Sequence, residues 1–366
     1  MADGRMWRLA AGALALGAAG YALRGVPAAL GGRPAGERGR RVRRSPQFRD
    51  GAFRNRTPSP ILPPGTTQRV ARELAFGKQR RAPRLPVPLV TPSATALSDL
   101  DVIWYGHSSA LVDIEGRRVL FDPVWSERSS PSTLVGPRRL HPVPVPLWEV
   151  PRVDAVVISH DHYDHLDMET VRNLTATCSA PFLVPLGVGA HLERWNVPSS
   201  RIIELDWNEE ATVEGLRFVA TPAQHFSGRT LTRNQTLWTS WVVAGERRRV
   251  FYTGDSGYFD GYAAVGEEHG PFDLSLIQIG AYSPAWPDIH MTPEEAILAH
   301  LDLRAGVLLP VHWGTFNLSY HAWSDPVDRL WKEAKARDVR LVVPRPGERV
   351  SVGDPPAVDG WWQTIA

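Results

Sequence analysis

The chain reads as an α/β protein in which two β-sheets pack face to face and helices cover their outer faces. Two observations predict this. Short β runs recur beyond residue 92 in two groups with a few helical stretches between and after them, and that pattern buries one sheet on the other. Size agrees: 366 residues, 43% hydrophobic, with 31 Gly and 32 Pro, suffice for one large domain with its own core.

The first group of strands is read at 102–105, 110–114, 118–121, 155–158, 182–184 and 201–205. The second is read at 216–220, 237–243, 249–252, 274–279, 307–311 and 340–343. Continuous apolar runs such as Ala155-Val156-Val157-Ile158 fit strands buried on both faces. The clearest helices are 292–303 and 326–338, with shorter ones after Asp167 and around 187–195. In Thr292-Pro293-Glu294-Glu295 the Thr can cap, Pro suits the first turn and Glu295 completes a capping box. No solenoid-type repeat is present.

Charge divides the chain into 1–32, 33–92 and 93–366. The formal net charge of +2 conceals 15 Lys and Arg against 3 Asp and Glu between Arg33 and Arg84, so a basic arm precedes an acidic body. Residues 33–92 are Arg/Pro-rich with few periodic apolar runs and read as a linker wrapping or tethering the domain. The arm has no interleaved aromatics and no finger motif, so no nucleic-acid partner is expected.

Before the arm, an uncharged Ala/Leu-rich run spans 9–23. As a helix it covers about 22 Å, short of a hydrocarbon core of about 30 Å. It fits a signal-peptide core with a cleavage site at Val26-Pro27-Ala28, hence secretion. The preferred reading is a short membrane anchor with Arg24 snorkelling. Arg38, Arg40, Arg41, Arg43 and Arg44 then face an anionic leaflet, with the catalytic domain on the cytoplasmic side. Cys178 stands alone, so no internal disulfide forms.

The chemistry is concentrated in His160-Asp161-His162-Tyr163-Asp164-His165, directly after the apolar run 155–158. Three imidazoles and two carboxylates crowded into one loop mainly offer lone pairs to a cation. One loop cannot fill two coordination spheres. Further ligands stand where other strands give way to Gly- or Pro-marked turns: His225 after 216–220, Asp255 after 249–252 and His312 after 307–311. A water held between two such ions becomes a nucleophile near neutral pH, so no catalytic Ser or Cys is needed.

This series, H-x-H-x-D-H, then a His, a Gly-Asp and a last His, resembles that of the metallo-β-lactamase fold. Within it the chain is similar to the N-acyl-phosphatidylethanolamine-hydrolysing phospholipase D family. The likeness lies in Gly106-His107, Phe121-Asp122-Pro123, Gly136-Pro137-Arg138-Arg139, ISHDHYDHLD at 158–167, ELDW at 204–207, GDSGY at 254–258, GPFDL at 270–274, IGAY at 279–282, PEEA at 293–296 and HWGTF at 312–316.

The resemblance implies a four-layer αββα sandwich. It makes His160, His162 and His225 ligands of one metal, Asp164, His165 and His312 ligands of a second, and Asp255 the bridge. Two zinc ions are expected, with iron or manganese left open because no ligand cysteine is present. Asp164 and Asp255 are the expected catalytic carboxylates, Tyr163 and His290 the substrate contacts, and His107 and Asp122 supporting residues or turn formers. The expected activity is a phospholipase D-type phosphodiesterase on N-acyl-phosphatidylethanolamine-like lipids at an anionic membrane surface. A soluble lactone, β-lactam or cyclic nucleotide, or a nucleic-acid-processing role, is the alternative, and a homodimer is left open. Of the 14 tryptophans, Trp148, Trp286 and Trp313 fall near site loops and are candidates for an acyl-chain groove.

Overall fold

The computed structural model describes residues 25–59, 66–92 and 96–366. Two mixed sheets form its centre. The first has seven strands: β3 Leu100–Gly106, β4 Ser109–Ile114, β5 Arg117–Phe121, β6 Ala155–Val157, β7 Phe182–Pro185, β8 Ile202–Leu205 and β15 Arg349–Ser351, in the order β15-β3-β4-β5-β6-β7-β8. The second has six: β9 Glu210–Val213, β10 Leu216–Thr221, β11 Ser240–Ala244, β12 Arg249–Tyr252, β13 Phe272–Gln278 and β14 Ala305–Val311, in the order β14-β13-β12-β11-β10-β9. Each sheet is antiparallel at one side and parallel at the other, β5 to β8 in one and β12 to β14 in the other.

Alternation along β3 shows how the layers form. Val102 and Trp104 enter the large core with residues of the second sheet such as Phe218 and Val242. Ile103 and Tyr105 point the other way and pack with Val171 and Leu174. Those two belong to helix α4, Met168–Thr177, whose N-cap Asp167 accepts from the Glu169 amide. The remaining helices of the body are α5 Gly189–Arg194, α6 Gly261–His269, α7 Pro293–Asp302 and α8 Asp325–Ala336. The capping box at Thr292 is formed, with Glu295 Oε2 accepting from the Thr292 amide at 2.8 Å.

Several elements differ from the sequence reading. Residues 237–239 lie outside β11, because the Leu237 and Thr239 amides are spent on the carbonyls of Leu186 and Ser159. The run 340–343 makes only an isolated bridge, Leu341 to Leu308. Strands β9 and β15 and helix α6 were unmarked: Glu210–Val213 is half exposed, β15 has three residues, and α6 carries two glycines.

The basic arm is folded onto the body. It contains a helical turn α1 Val26–Ala29, helix α2 Gly36–Arg44, a hairpin of β1 Phe48–Arg49 and β2 Ala52–Phe53, and helix α3 Thr66–Phe76. Val42 and Phe53 are buried against Leu186, Trp207 and Trp238. Its charge is partly spent on the acidic body, since Arg38 pairs with Glu193 and Glu204, and Arg41 with Glu209. The apolar run 9–23 lies outside the described residues, and no helix among the described residues is long and apolar enough to cross a membrane.

Candidate metal centre

Strand ends deliver the ligand residues to one place. His160 to His165 follow β6, His225 follows β10, Asp255 follows β12, His312 follows β14 and His107 follows β3. Gly254, at φ +56°, permits one of these approaches. A Cβ there would lie 2.5 Å from the Ser159 Cβ, so only Gly brings the Asp255 loop against the His160 loop.

Four overlapping groups of ligand atoms result among the described residues; Asp122, His160 and His165 make one small group, Asp255, His290 and His312 another, and two clusters of four dominate. His160, His162, His225 and Asp255 form one, with every ligand atom within 4.8 Å of the others. His160 Nε2 and His225 Nε2 lie 2.8 and 3.2 Å from His162 Nδ1. Asp255 Oδ2 lies 3.9 and 3.7 Å from His160 and His225 Nε2. The second cluster sits on the other side of Asp255. Its Oδ2 lies 3.2 Å from His165 Nε2 and 3.0 Å from His312 Nε2, while Asp164 Oδ2 lies 3.4 and 3.2 Å from the same two nitrogens. Spacings of 2.8 to 3.9 Å suit donor atoms that converge on a divalent ion.

The outward-facing atoms fix the tautomers. His225 Nδ1 donates to the Ile289 carbonyl at 2.9 Å, so its Nε2 presents a lone pair inward. His165 Nδ1 donates to Asp122 Oδ2 at 2.6 Å with the same consequence. His160 Nδ1 donates to Ser159 Oγ at 2.9 Å, and that hydroxyl donates onward to Asp122 Oδ2 at 2.5 Å. Asp122 also accepts from the Ser159 amide and the Tyr252 hydroxyl, so one fully buried carboxylate orients two candidate ligands. His107, the second expected supporter, donates from Nε2 to Asp164 Oδ2 at 2.9 Å and lies close enough to act as a ligand itself.

Electrostatics agree with a cation site. Burial pushes His160 and His225 well below the ordinary histidine value, leaving neutral donors. Burial would raise Asp164 and Asp255, but the imidazoles around them outweigh it and hold both carboxyls well below the usual range. Burial likewise opposes charge on His165, yet Asp255, Asp164 and Asp122 raise it well above its ordinary value. The carboxylates thus draw a proton into a place that a divalent ion would take over. Asp255 Oδ1 is buried with no hydrogen-bond partner among the described residues, which costs stability unless a further group binds there. His107 and His312 hold left-handed backbone angles, φ 51° and 63°, at the same spot.

The two expected substrate contacts part company. His290 lines the cavity above the clusters, its ring 5.0 Å from that of His225 and 5.3 Å from that of His312. Burial pushes it down to about 3, and its Nδ1 is buried without a partner. Tyr163 is absent from the cavity wall. Its hydroxyl donates to the Arg229 carbonyl at 2.7 Å and its ring lies under the Arg229 guanidinium at 4.0 Å, so it braces the metal loop.

The cavity has a volume of about 420 Å³ and also exposes His162, Asp164, Asp255 and His312. Its other walls are mainly apolar: Val70 from α3, Phe226, Ile289, Leu318, Tyr320 and Trp286. Of the other tryptophans expected near an acyl groove, Trp148 is 80% exposed away from it, and Trp313 is buried, stacked on Trp104 at 5.5 Å.

Sequence reading missed the outer support. Arg229 is a buried arginine whose Nη1 donates to the carbonyls of Asp161 and Leu166, both at 2.7 Å, clamping the metal loop from behind. Its Nε donates to the Ala29 carbonyl at 2.9 Å, and Trp195 Nε1 donates to the Ala28 carbonyl at 2.7 Å. The segment read as a cleavage site is therefore built into the support of the metal loop. Asp161 accepts from Thr236 Oγ1 and the Gly228 amide and lies 3.2 Å from His191, so the one carboxylate of the motif outside both clusters is structural. Its place between two histidines gave no sign of that.

Comparison with known proteins agrees with this geometry. Residues 117–313 match the model of the beta-lactamase superfamily domain. An uncharacterized protein of Mycobacterium tuberculosis is 51% identical, covering 98% of this chain and 99% of the relative. The N-acyl-phosphatidylethanolamine-hydrolyzing phospholipase D 1 of Caenorhabditis elegans is 37% identical over 66% of this chain and 71% of the relative. Among solved structures, the metallo hydrolase Igni18 of Ignicoccus hospitalis superposes with a TM-score of 0.52 at 24% identity, covering 69% of this chain and 97% of that one, and shows the shared fold. With its paired His/Asp clusters at the strand ends, this chain belongs to the beta-lactamase superfamily, as a metallo-β-lactamase-fold, metal-dependent hydrolase related to the N-acyl-phosphatidylethanolamine-hydrolysing phospholipases D.

Proposed function

We propose that the chain is a dinuclear zinc phosphodiesterase that cleaves phospholipids of the N-acyl-phosphatidylethanolamine type in the manner of a phospholipase D. One observation carries the reading: two ligand clusters sharing Asp255 open into a cavity whose other walls are largely apolar. When bound, two divalent ions would supply Lewis acidity and an activated water near neutral pH. The chain's residues do the rest. His160, His162, His225 and Asp255 would hold one ion, and Asp164, His165 and His312, with Asp255 3.0–3.2 Å from His312 and His165, would hold the other, while His107 fixes the Asp164 carboxylate. His290, neutral at working pH, offers an N–H to a substrate oxygen without adding a charge. Trp286, Ile289, Leu318 and Phe226 exclude water and take apolar chain.

The reading includes action at a membrane surface, with attachment through the N-terminal segment and the catalytic domain on the cytoplasmic side. Arg43 and Arg44 of α2 are exposed and suit anionic lipid, whereas Arg38 and Arg41 are already paired. Hydrolysis of a soluble lactone, β-lactam or cyclic nucleotide is the second reading, favoured by a cavity volume in the usual range for small-molecule sites.

The test is turnover by the metal-loaded protein on N-acyl-phosphatidylethanolamine, other glycerophospholipids, a lactone, a β-lactam and a cyclic nucleotide. Release of phosphatidic acid and N-acylethanolamine at the highest kcat/KM of the panel is expected. Preference for a soluble substrate by tenfold or more would replace this reading with the second.

A further inference from the structure

Of the charged side chains on the cavity wall, two carboxylates belong to the ligand clusters, and the third group is a cation, Arg233. Surface arginines of this protein are commonly paired, as Arg41 is with Glu209, Arg217 with Glu210 and Arg329 with Glu294. Arg233 makes no ion pair among the described residues. Among the described residues its guanidinium meets an aromatic face: it lies 5.1 Å from the Phe226 ring, and Phe226 sits edge-on to His162 at 4.5 Å. A single ring therefore separates this charge from the metal loop.

The backbone holds it there. The Asn234 amide donates to the Ser227 carbonyl at 2.9 Å, the Ser227 amide to Asn234 Oδ1 at 3.2 Å, and the Phe53 amide to the Asn234 carbonyl at 2.9 Å. Asn234 takes the left-handed angle, φ 60°, that closes this stem. Arg233 thus stands on a pinned stem, two residues from the fully exposed tip at Leu231.

We infer that Arg233 is a specificity-determining residue that binds an oxyanion of the substrate at the cavity mouth and selects anionic over neutral amphiphiles. The inference rests on the phosphodiesterase reading and deepens it. An unpaired guanidinium beside an aromatic face presents its N–H fork to phosphate or carboxylate oxygens, while Trp286, Ile289 and Leu318 accept the chain attached to them. Both oxyanions fit this chemistry.

Isothermal titration of the metal-loaded protein with octyl phosphate, octanoate and octanol tests the assignment and separates the two oxyanions. Arg233→Ala should weaken octyl phosphate by roughly two- to fivefold, as suits an exposed charge, flatten the salt dependence and leave octanol unchanged. Arg233→Lys should recover part of the loss. A matching loss for octanoate would identify general oxyanion recognition, and its absence would identify phosphate. On a phosphodiester lipid the Ala variant should raise KM with kcat nearly unchanged. If Arg233→Ala binds octyl phosphate as wild type does, the assignment falls while the phosphodiesterase reading stands. If wild type binds octanol as tightly as octyl phosphate, both fall.

Discussion

Asp122 and His165 are joined by a 2.6 Å hydrogen bond from the imidazole Nδ1 to the carboxylate, both side chains fully buried. Because Nδ1 carries the proton, Nε2 is left to face Asp164 and Asp255. Asp122→Asn keeps the size and removes the charge that enforces this tautomer. Loss of such a partner typically lowers metal affinity about 10- to 100-fold, and chelator competition should show it most strongly at the site that His165 serves, with a smaller loss at the site of His160, which Asp122 reaches through Ser159. Unchanged retention of both ions would mean that Asp122 serves only the turn.

His290→Ala should keep both ions, since His290 groups only with Asp255 and His312, and each of those has other ligand partners. If its N–H meets a phosphate oxygen in the transition state, roughly 1.5–3 kcal/mol is lost, about ten- to a hundredfold in turnover on a phosphodiester. A neutral lactone should be far less affected. Equal losses on both substrates would assign His290 to general support of the centre.

Removing residues 1–32 should destabilise the domain and loosen its metals, because Ala29 and Ala28 supply the acceptors of Arg229 Nε and Trp195 Nε1. Leaving a buried guanidinium donor without its partner costs on the order of 2 kcal/mol. Thermal denaturation with metal analysis checks this. An unchanged melting temperature and metal content would show that Arg229 finds other acceptors.

His300 gives a pH dependence away from the metals. Buried, with Nδ1 2.8 Å from Ser275 Oγ, it is pushed by burial down to about 4. Unfolding lets it take up a proton between its unfolded value near 6.5 and 4, so stability falls as pH drops through that window. From pH 6.5 to 5 the contribution is about 2 kcal/mol. Urea midpoints of wild type and His300→Gln across this range should converge as pH falls. Parallel curves would contradict the assignment.

The ligand residues were legible because each follows an apolar strand and stands at a turn, where local sequence alone marks both the strand end and the donor. The orienting residues were less so. Asp122 reads as one Asp after a strand, and only the fold brings Ser159, His165 and Tyr252 onto it. Apart from Trp286 and His290, the cavity wall was illegible for a related reason: Val70, Phe226 and Leu318 come from separate segments with no shared periodicity. Helix α2 was hidden by its composition. GERGRRVRR has one apolar side chain, Val42, and its docking depends on Arg38 and Arg41 meeting glutamates more than 150 residues away.

The central claim is a pair of ions sharing Asp255, and metal content per chain tests it most directly. Wild type, loaded and dialysed, should hold about two divalent ions, and Asp255→Ala fewer, with activity lower by several orders of magnitude as the metal-activated nucleophile is lost. Two ions per chain and near-normal turnover in Asp255→Ala would contradict the account.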